Sequence, residues 1–141
     1  MPAFAGMTAE QAMTTIPIRA ATPSDIAAIT RIYDRAVREG TASFEIAPPD
    51  EAEMARRMRE LAAGEFSYLA AESGGALAGY AYAGPYRHRP AYRWTVEDTV
   101  YVAPDMHRCG VGRALLERLI VESEARGFRQ MIAVIGDSAQ L

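Results

Sequence analysis

The segment from Trp94 to Leu116 constrains this chain more than any other. A β-favouring run from Trp94 to Ala103, with Val96, Val100, Tyr101 and Val102, ends at Pro104-Asp105. A glycine loop from His107 to Gly112 follows and leads straight into Ala114, Leu115, Leu116, Leu119 and Ile120, the apolar stripe of a helix that Gly127 closes. A helix start offers unpaired N–H groups and a partial positive charge to whatever lies beyond it, which makes it an anion site. Gly110 and Gly112 let backbone amides approach a diphosphate closely, and Arg108 and Arg113 add charge-assisted bonds to its oxygens. A bare Gly-x-Gly also builds a tight turn that holds no ligand, and that alternative stays open here. A Rossmann reading fits less well, because Leu115 stands where the third glycine of that fingerprint belongs.

The rest of the chain reads as elements gathered around this unit. Ile16 to Ala20 is a short strand, and Thr22-Pro23-Ser24-Asp25 then gives an N-cap, a first-turn proline and an acid. Ile26, Ile29, Ile32, Tyr33, Ala36 and Val37 form the buried stripe of a first helix that Gly40 stops. Thr41 to Pro49 is a loop in which Phe44 reads first as a core plug and second as a substrate contact. Asp50 and Glu53 make a capping box for a second helix carrying Met54, Met58 and Leu61, ended by Gly64. Phe66 to Glu72 and Ala76 to Gly84 flank Ser73-Gly74-Gly75 as a hairpin, and Met131 to Ile135 reads as a buried strand. The expected order is β-α-α-β-β-β-α-β, an α+β fold with a mixed sheet. Residues 1–15 are small, polar and aperiodic, an expected disordered extension ahead of a single domain at 16–141.

Composition narrows the chemistry. At 141 residues there is room for one globular core, and a net charge of -3 gives no basic excess for a nucleic-acid backbone. All fifteen basic residues are Arg, which removes Schiff-base, Lys-nucleophile and P-loop-Lys chemistry together. The single cysteine, Cys109, cannot form an internal disulfide, and no apolar run is long enough to span a bilayer. A reducing, cytoplasmic compartment and no membrane partner are expected.

Glu97 sits mid-strand, where a charged side chain implies a face that lines a cleft or meets solvent. Alternation sends Asp98 to the opposite face, so the two acids are not expected to line one cleft together or to act as a glycosidase-type pair. Arg87, Arg89 and Arg93, interleaved with Tyr86 and Tyr92, suit either a cationic aromatic rim for a compact anion or a solvated loop. His88 and His107 have neither metal-ligand spacing nor a cysteine pair to join, so no metal site is expected. Cys109 has no His–Asn partner pattern and reads as loop packing.

Three blocks, GYAYAGPYRHRPAYRWTVEDTVYV, APDMHRCGVGRALL and MIAVIGDSAQ, together resemble the GNAT superfamily, and within it the phosphinothricin and methionine-sulfone N-acetyltransferases. The resemblance runs from about Ile16 to the last residue and includes TPSDI and TASFE. It implies a three-layer α-β-α fold, acetyl-CoA as cosubstrate, and a small amino-acid-like amine as acceptor, with herbicide or antibiotic resistance as the outcome. It implies cofactor contacts from Val100, Tyr101 and Val102 and from the loop Arg108, Cys109, Gly110, Val111, Gly112 and Arg113. Glu97 matches the family's carboxylate base, acting through water. Substrate contacts are implied for Phe44, for Arg87, His88, Arg89, Pro90 and Tyr92 on the loop, and for Glu97, Asp98 and Thr99. A homodimer is compatible with the group.

Three departures go with the same resemblance. His107 occupies the family's usual Arg or Gln position, and Gln140 stands where an Asn that touches the pantetheine is expected. The family's further helix and two closing strands are expected to be absent, and the helix normally bears the group that protonates the departing thiolate. A catalytically impaired CoA-binding fragment is therefore the alternative reading.

Overall fold

The computed structural model describes residues 16–40 and 43–135. The expected extension at 1–15 and the residue Gln140 lie outside the described residues.

Five strands form one sheet in the order β1-β2-β3-β4-β5: β1 (Ile18–Ala20), β2 (Tyr68–Ser73), β3 (Ala76–Pro85), β4 (Thr95–Val102) and β5 (Gln130–Ile132). Neighbours run antiparallel except β4 and β5, which are parallel and joined by a helical crossover. Helices α1 (Ile26–Glu39) and α2 (Glu51–Ala63) cover one face, while α3 (Val111–Ala125) covers the other. This is the expected three-layer order, with short 3-10 turns added at Pro23–Asp25, Pro90–Tyr92 and Pro104–Met106.

The alternation on β3 explains why the layers differ. Ala81 and Ala83 lie in the core beneath α3, where Leu115 and Leu119 fill the space that small residues leave. Tyr80 and Tyr82 point the other way and stack with Tyr68, and Tyr80 also meets Tyr101. Tyr33 of α1 packs edge-on to Tyr101, with ring centroids 5.1 Å apart. The β2–β3 hairpin turns on Gly74 and Gly75, at φ 60° and 79°, the left-handed pair that a two-residue turn demands.

Three expectations need correction. The first helix is entered through a 3-10 turn, and Asp25 is buried: it accepts from the Thr22 N–H at 2.8 Å and pairs with Arg19 at 2.7 Å. Phe44 is no core plug, being 71% exposed, because its neighbours rather than its own ring anchor the loop. The last strand is short and not buried: only Gln130–Ile132 pair with β4, and Val134 and Ile135 are exposed once the strands part.

Candidate functional site

The site begins where β4 and β5 separate. Thr95, Val96 and Glu97 pair with Gln130, Met131 and Ile132, so Glu97 is the last β4 residue held to β5. Beyond it, β4 keeps only its β3 partner. The Ala103 N–H bonds the Ala78 carbonyl on the β3 side, and the Arg129 N–H bonds the Trp94 carbonyl on the β5 side. Strict alternation between those two points turns the N–H and C=O of Val100 and Val102 away from β3, toward the side β5 has left. Among the described residues no strand pairs with this stretch of β4 edge.

Beside that edge lies the start of α3. Gly110 precedes the helix with φ 82°, and no side chain caps the first turn, which also lacks an acid. Arg108 adopts φ 63°, a left-handed conformation that costs a non-glycine residue about 1–2 kcal/mol. Two left-handed residues in one turn suit an anion nest, in which successive amide donors converge. The turn opens on a cleft of about 660 Å³ lined by Val100, Tyr101 and Val102, by Arg108, Gly110, Val111, Gly112 and Arg113, and by α1 across from them. His107 reaches back to the Val102 carbonyl, Nε2 to O 3.1 Å. Cys109 turns inward against the core and is not among the residues that line the cleft.

A second cleft, of about 520 Å³, continues from the first and shares Val100, Tyr101 and Gly112 with it. Its walls include Glu97, Asp98 and Thr99, with Phe44 and Glu45 from the loop before α2. Here the expectation that alternation keeps the two acids out of one cleft is overturned. They do point to opposite faces, yet the parting of β4 and β5 opens the sheet itself, and the cleft reaches both.

The three acids of this cleft stand in different states. Glu45 accepts from Arg57 at 2.6 Å and from the Tyr33 hydroxyl at 2.7 Å, and the Arg57 contact first of all pulls its pKa below the ordinary carboxylate value. One Asp98 oxygen is buried with no partner among the described residues, and burial raises that pKa. Glu97 lines the cleft with no hydrogen bond or ion pair to another described residue.

The remaining site residues read from sequence lie apart. Arg87 stacks over Tyr86 at 5.0 Å and Tyr92 at 5.9 Å, and Arg93 lies over Trp94 at 5.2 Å. These groups, with His88, Arg89 and Pro90, make a self-stacked exposed loop that lines neither cleft. Among the described residues no three His, Cys, Asp or Glu side chains converge as metal ligands would. Nor is any described helix long and apolar enough to cross a membrane.

Sequence reasoning missed two sets of lining residues. Ile32, Arg35 and Ala36 of α1 and Gly40 after it line the first cleft, although the helical stripe marked Ile32 and Ala36 only as core and Gly40 as a stop, and left Arg35 unmarked. Glu45 went unnoticed beside Phe44. The cue was an acid between Phe44 and Ile46, with Arg57 in the second turn of the following helix to receive it.

With this geometry in place, comparison with known proteins is direct. Residues 29–140 match the model of the acetyltransferase (GNAT) family. A phosphinothricin N-acetyltransferase of Alcaligenes faecalis is 50% identical over 92% of this chain, which spans 66% of that relative's length. An L-methionine sulfoximine/L-methionine sulfone acetyltransferase of Salmonella typhimurium is 36% identical over 84% of the chain and 69% of its own. Among solved structures, a phosphinothricin acetyltransferase from Sinorhizobium meliloti in complex with AcCoA superposes with a TM-score of 0.85 at 46% identity. That match covers 86% of this chain and 66% of the other. The chain thus spans just under two thirds of the first relatives it resembles.

Proposed function

The chain belongs to the acetyltransferase (GNAT) family, and from that premise we propose that it moves an acetyl group from acetyl-CoA to the primary amine of a compact amino-acid-like acceptor. The observation that carries this reading is the junction of the two clefts at Val100, Tyr101 and Gly112, with amide donors on one side and Glu97 on the other.

The residues present suit the cosubstrate. The nest at Arg108–Gly112 opens a helix whose first turn lacks an acid, and Glu39, which lines the same cleft, is paired with Arg35 at 2.8 Å; the outward N–H and C=O of Val100 and the N–H of Val102 suit the amides of an extended arm, which adds to the edge as a strand would. When bound, acetyl-CoA would supply a thioester carbon that a neutral amine can attack, the C–N bond forming as the C–S bond breaks and CoA leaves as the thiol with the proton the new amide sheds. Glu97 removes a proton from the acceptor ammonium, through water, because the ammonium has no lone pair until it loses one. The Val100 N–H holds the acyl oxygen as negative charge grows on it, and the cleft walls keep both reactants close and aligned. Phe44 and Thr99 border the acceptor end, which favours small amines of the kind named for the relatives, phosphinothricin and methionine sulfone or sulfoximine. A cytoplasmic location goes with this reading, since acetyl-CoA and the lone Cys109 both suit a reducing compartment.

The test is calorimetry with acetyl-CoA followed by mass spectrometry of the products. Binding together with an acetylated phosphinothricin or methionine sulfone supports the assignment. Binding without turnover of any amino acid leaves a CoA-binding fragment, and no binding at all overturns the reading.

A further inference from the structure

The acceptor end of the cleft contains a carboxylate that proton transfer leaves unused. Glu45 is joined to α2 through Arg57, Nη1 to Oε1 2.6 Å, and to α1 through the Tyr33 hydroxyl at 2.7 Å. The same hydroxyl meets Ser43 Oγ at 2.8 Å, and that oxygen accepts the Glu45 N–H at 3.1 Å. Arg57 is itself steadied by Glu53 at 3.0 Å. Both neighbours of Phe44 are therefore fixed, while its own ring stands 71% exposed at the cleft wall. The pair also divides space: Glu45 lines the 520 Å³ cleft and Arg57 a smaller one of about 300 Å³, and both spaces reach Tyr82, Glu97 and Thr99.

We propose that the Glu45–Arg57 ion pair sets which amines reach Glu97, by holding Phe44 at the acceptor wall and keeping the two spaces around the carboxylate separate. Glu45 and Arg57 are positioning residues in this scheme, acting through Phe44 and the cleft shape. The inference rests on Glu97 serving the amine. Neither side chain of the pair is deeply buried, at 34% and 33% exposure, so a change of selectivity is expected in place of a collapse of the fold.

The 141-residue chain is compared with its R57A, E45Q and R57K variants on methionine sulfone and on the bulkier tryptophan. In R57A and E45Q the KM for methionine sulfone rises about fivefold and kcat/KM shifts at least about fivefold toward tryptophan. The Kd for acetyl-CoA stays within about twofold, and R57K, which keeps the charge but not the fork, falls between. Loss of both acceptors in equal proportion would show a merely structural pair and overturn the inference. Chymotrypsin nicking after Phe44 provides a readout that needs no turnover. It should quicken about fivefold in R57A and E45Q while the other sites keep their rates, and equal nicking overturns the clamp. A wild-type chain that neither binds acetyl-CoA nor makes product would instead overturn the functional reading, and the nicking rates would still judge the clamp.

Discussion

Gly79 on β3 stands so close to Tyr101 on β4 that a Cβ added to it would lie 2.8 Å from the Tyr101 carbonyl oxygen. The same Cβ would meet Val111 and Leu115 of α3 at 3.1 and 3.2 Å. The glycine lets α3 settle on the sheet and so places the amide nest beside the open edge of β4. A backbone oxygen cannot step aside as a flexible side chain can. We expect Gly79→Ala to cost about 1–3 kcal/mol, read as a lower urea midpoint with unchanged slope. Gly84→Ala, whose Cβ would meet only Leu61 at 3.4 Å, is the tolerated control.

Gly112 and Gly110 separate binding from folding. A Cβ on Gly112 would touch Val102 at an ordinary 3.5 Å, so Gly112→Ala should fold as well as wild type or gain up to about 1 kcal/mol. The added methyl nevertheless lies at the junction of the two clefts. Acetyl-CoA affinity by calorimetry should fall about tenfold without loss of melting temperature. Gly110→Ala, at φ 82°, should lose both, with a stability cost of about 1–2 kcal/mol.

How much of this was legible beforehand follows from the kind of interaction involved. Local signals carried the elements: Asp50 does accept from the Glu53 N–H, Gly74-Gly75 does turn the hairpin, and the glycine loop does open α3. The walls of the site were less legible because they depend on where β5 leaves β4. Alternation along one strand sends Glu97 and Asp98 apart, and only the gap between two strands lets one cleft reach both. Glu45 stayed hidden for a related reason: its partners lie 12 residues away on either side, joined across the loop by packing and not by period.

The Arg19–Asp25 pair predicts an acid-sensitive entry to α1. Hydrogen bonding from Arg19 is the main cause that lowers the Asp25 pKa from 3.8. A carboxylate held below its unfolded value stabilises the fold above that value, and the stability is lost as pH falls through the lowered one. Wild-type stability should therefore decline below about pH 4. Asp25→Asn should be less stable at pH 7 by about 1 kcal/mol, the lower end of the range because Arg19 is 40% exposed, and should show a flatter acid limb in denaturation.

Glu97 and Asp98 carry opposite predictions, and together they test the assignment of the base. Glu97→Gln keeps the shape of the cleft wall but cannot take a proton, so kcat should fall about 10²–10⁴-fold with the acetyl-CoA Kd unchanged. Asp98 is an acid whose pKa is raised by burial, so its folded form holds a proton more tightly than its unfolded form does. Ionisation then costs stability as pH rises from the ordinary carboxyl value through the raised one, and that loss persists at neutral pH. Asp98→Asn removes a buried charge, one oxygen of which lacks a partner among the described residues, and an uncharged amide is cheaper to bury. Its melting temperature should exceed wild type at pH 7, with the difference shrinking below about pH 4. Its turnover should fall far less than that of Glu97→Gln. If Asp98→Asn abolished turnover while Glu97→Gln retained it, the proton would be leaving by the opposite face of β4, and the acceptor would have to sit beneath α3.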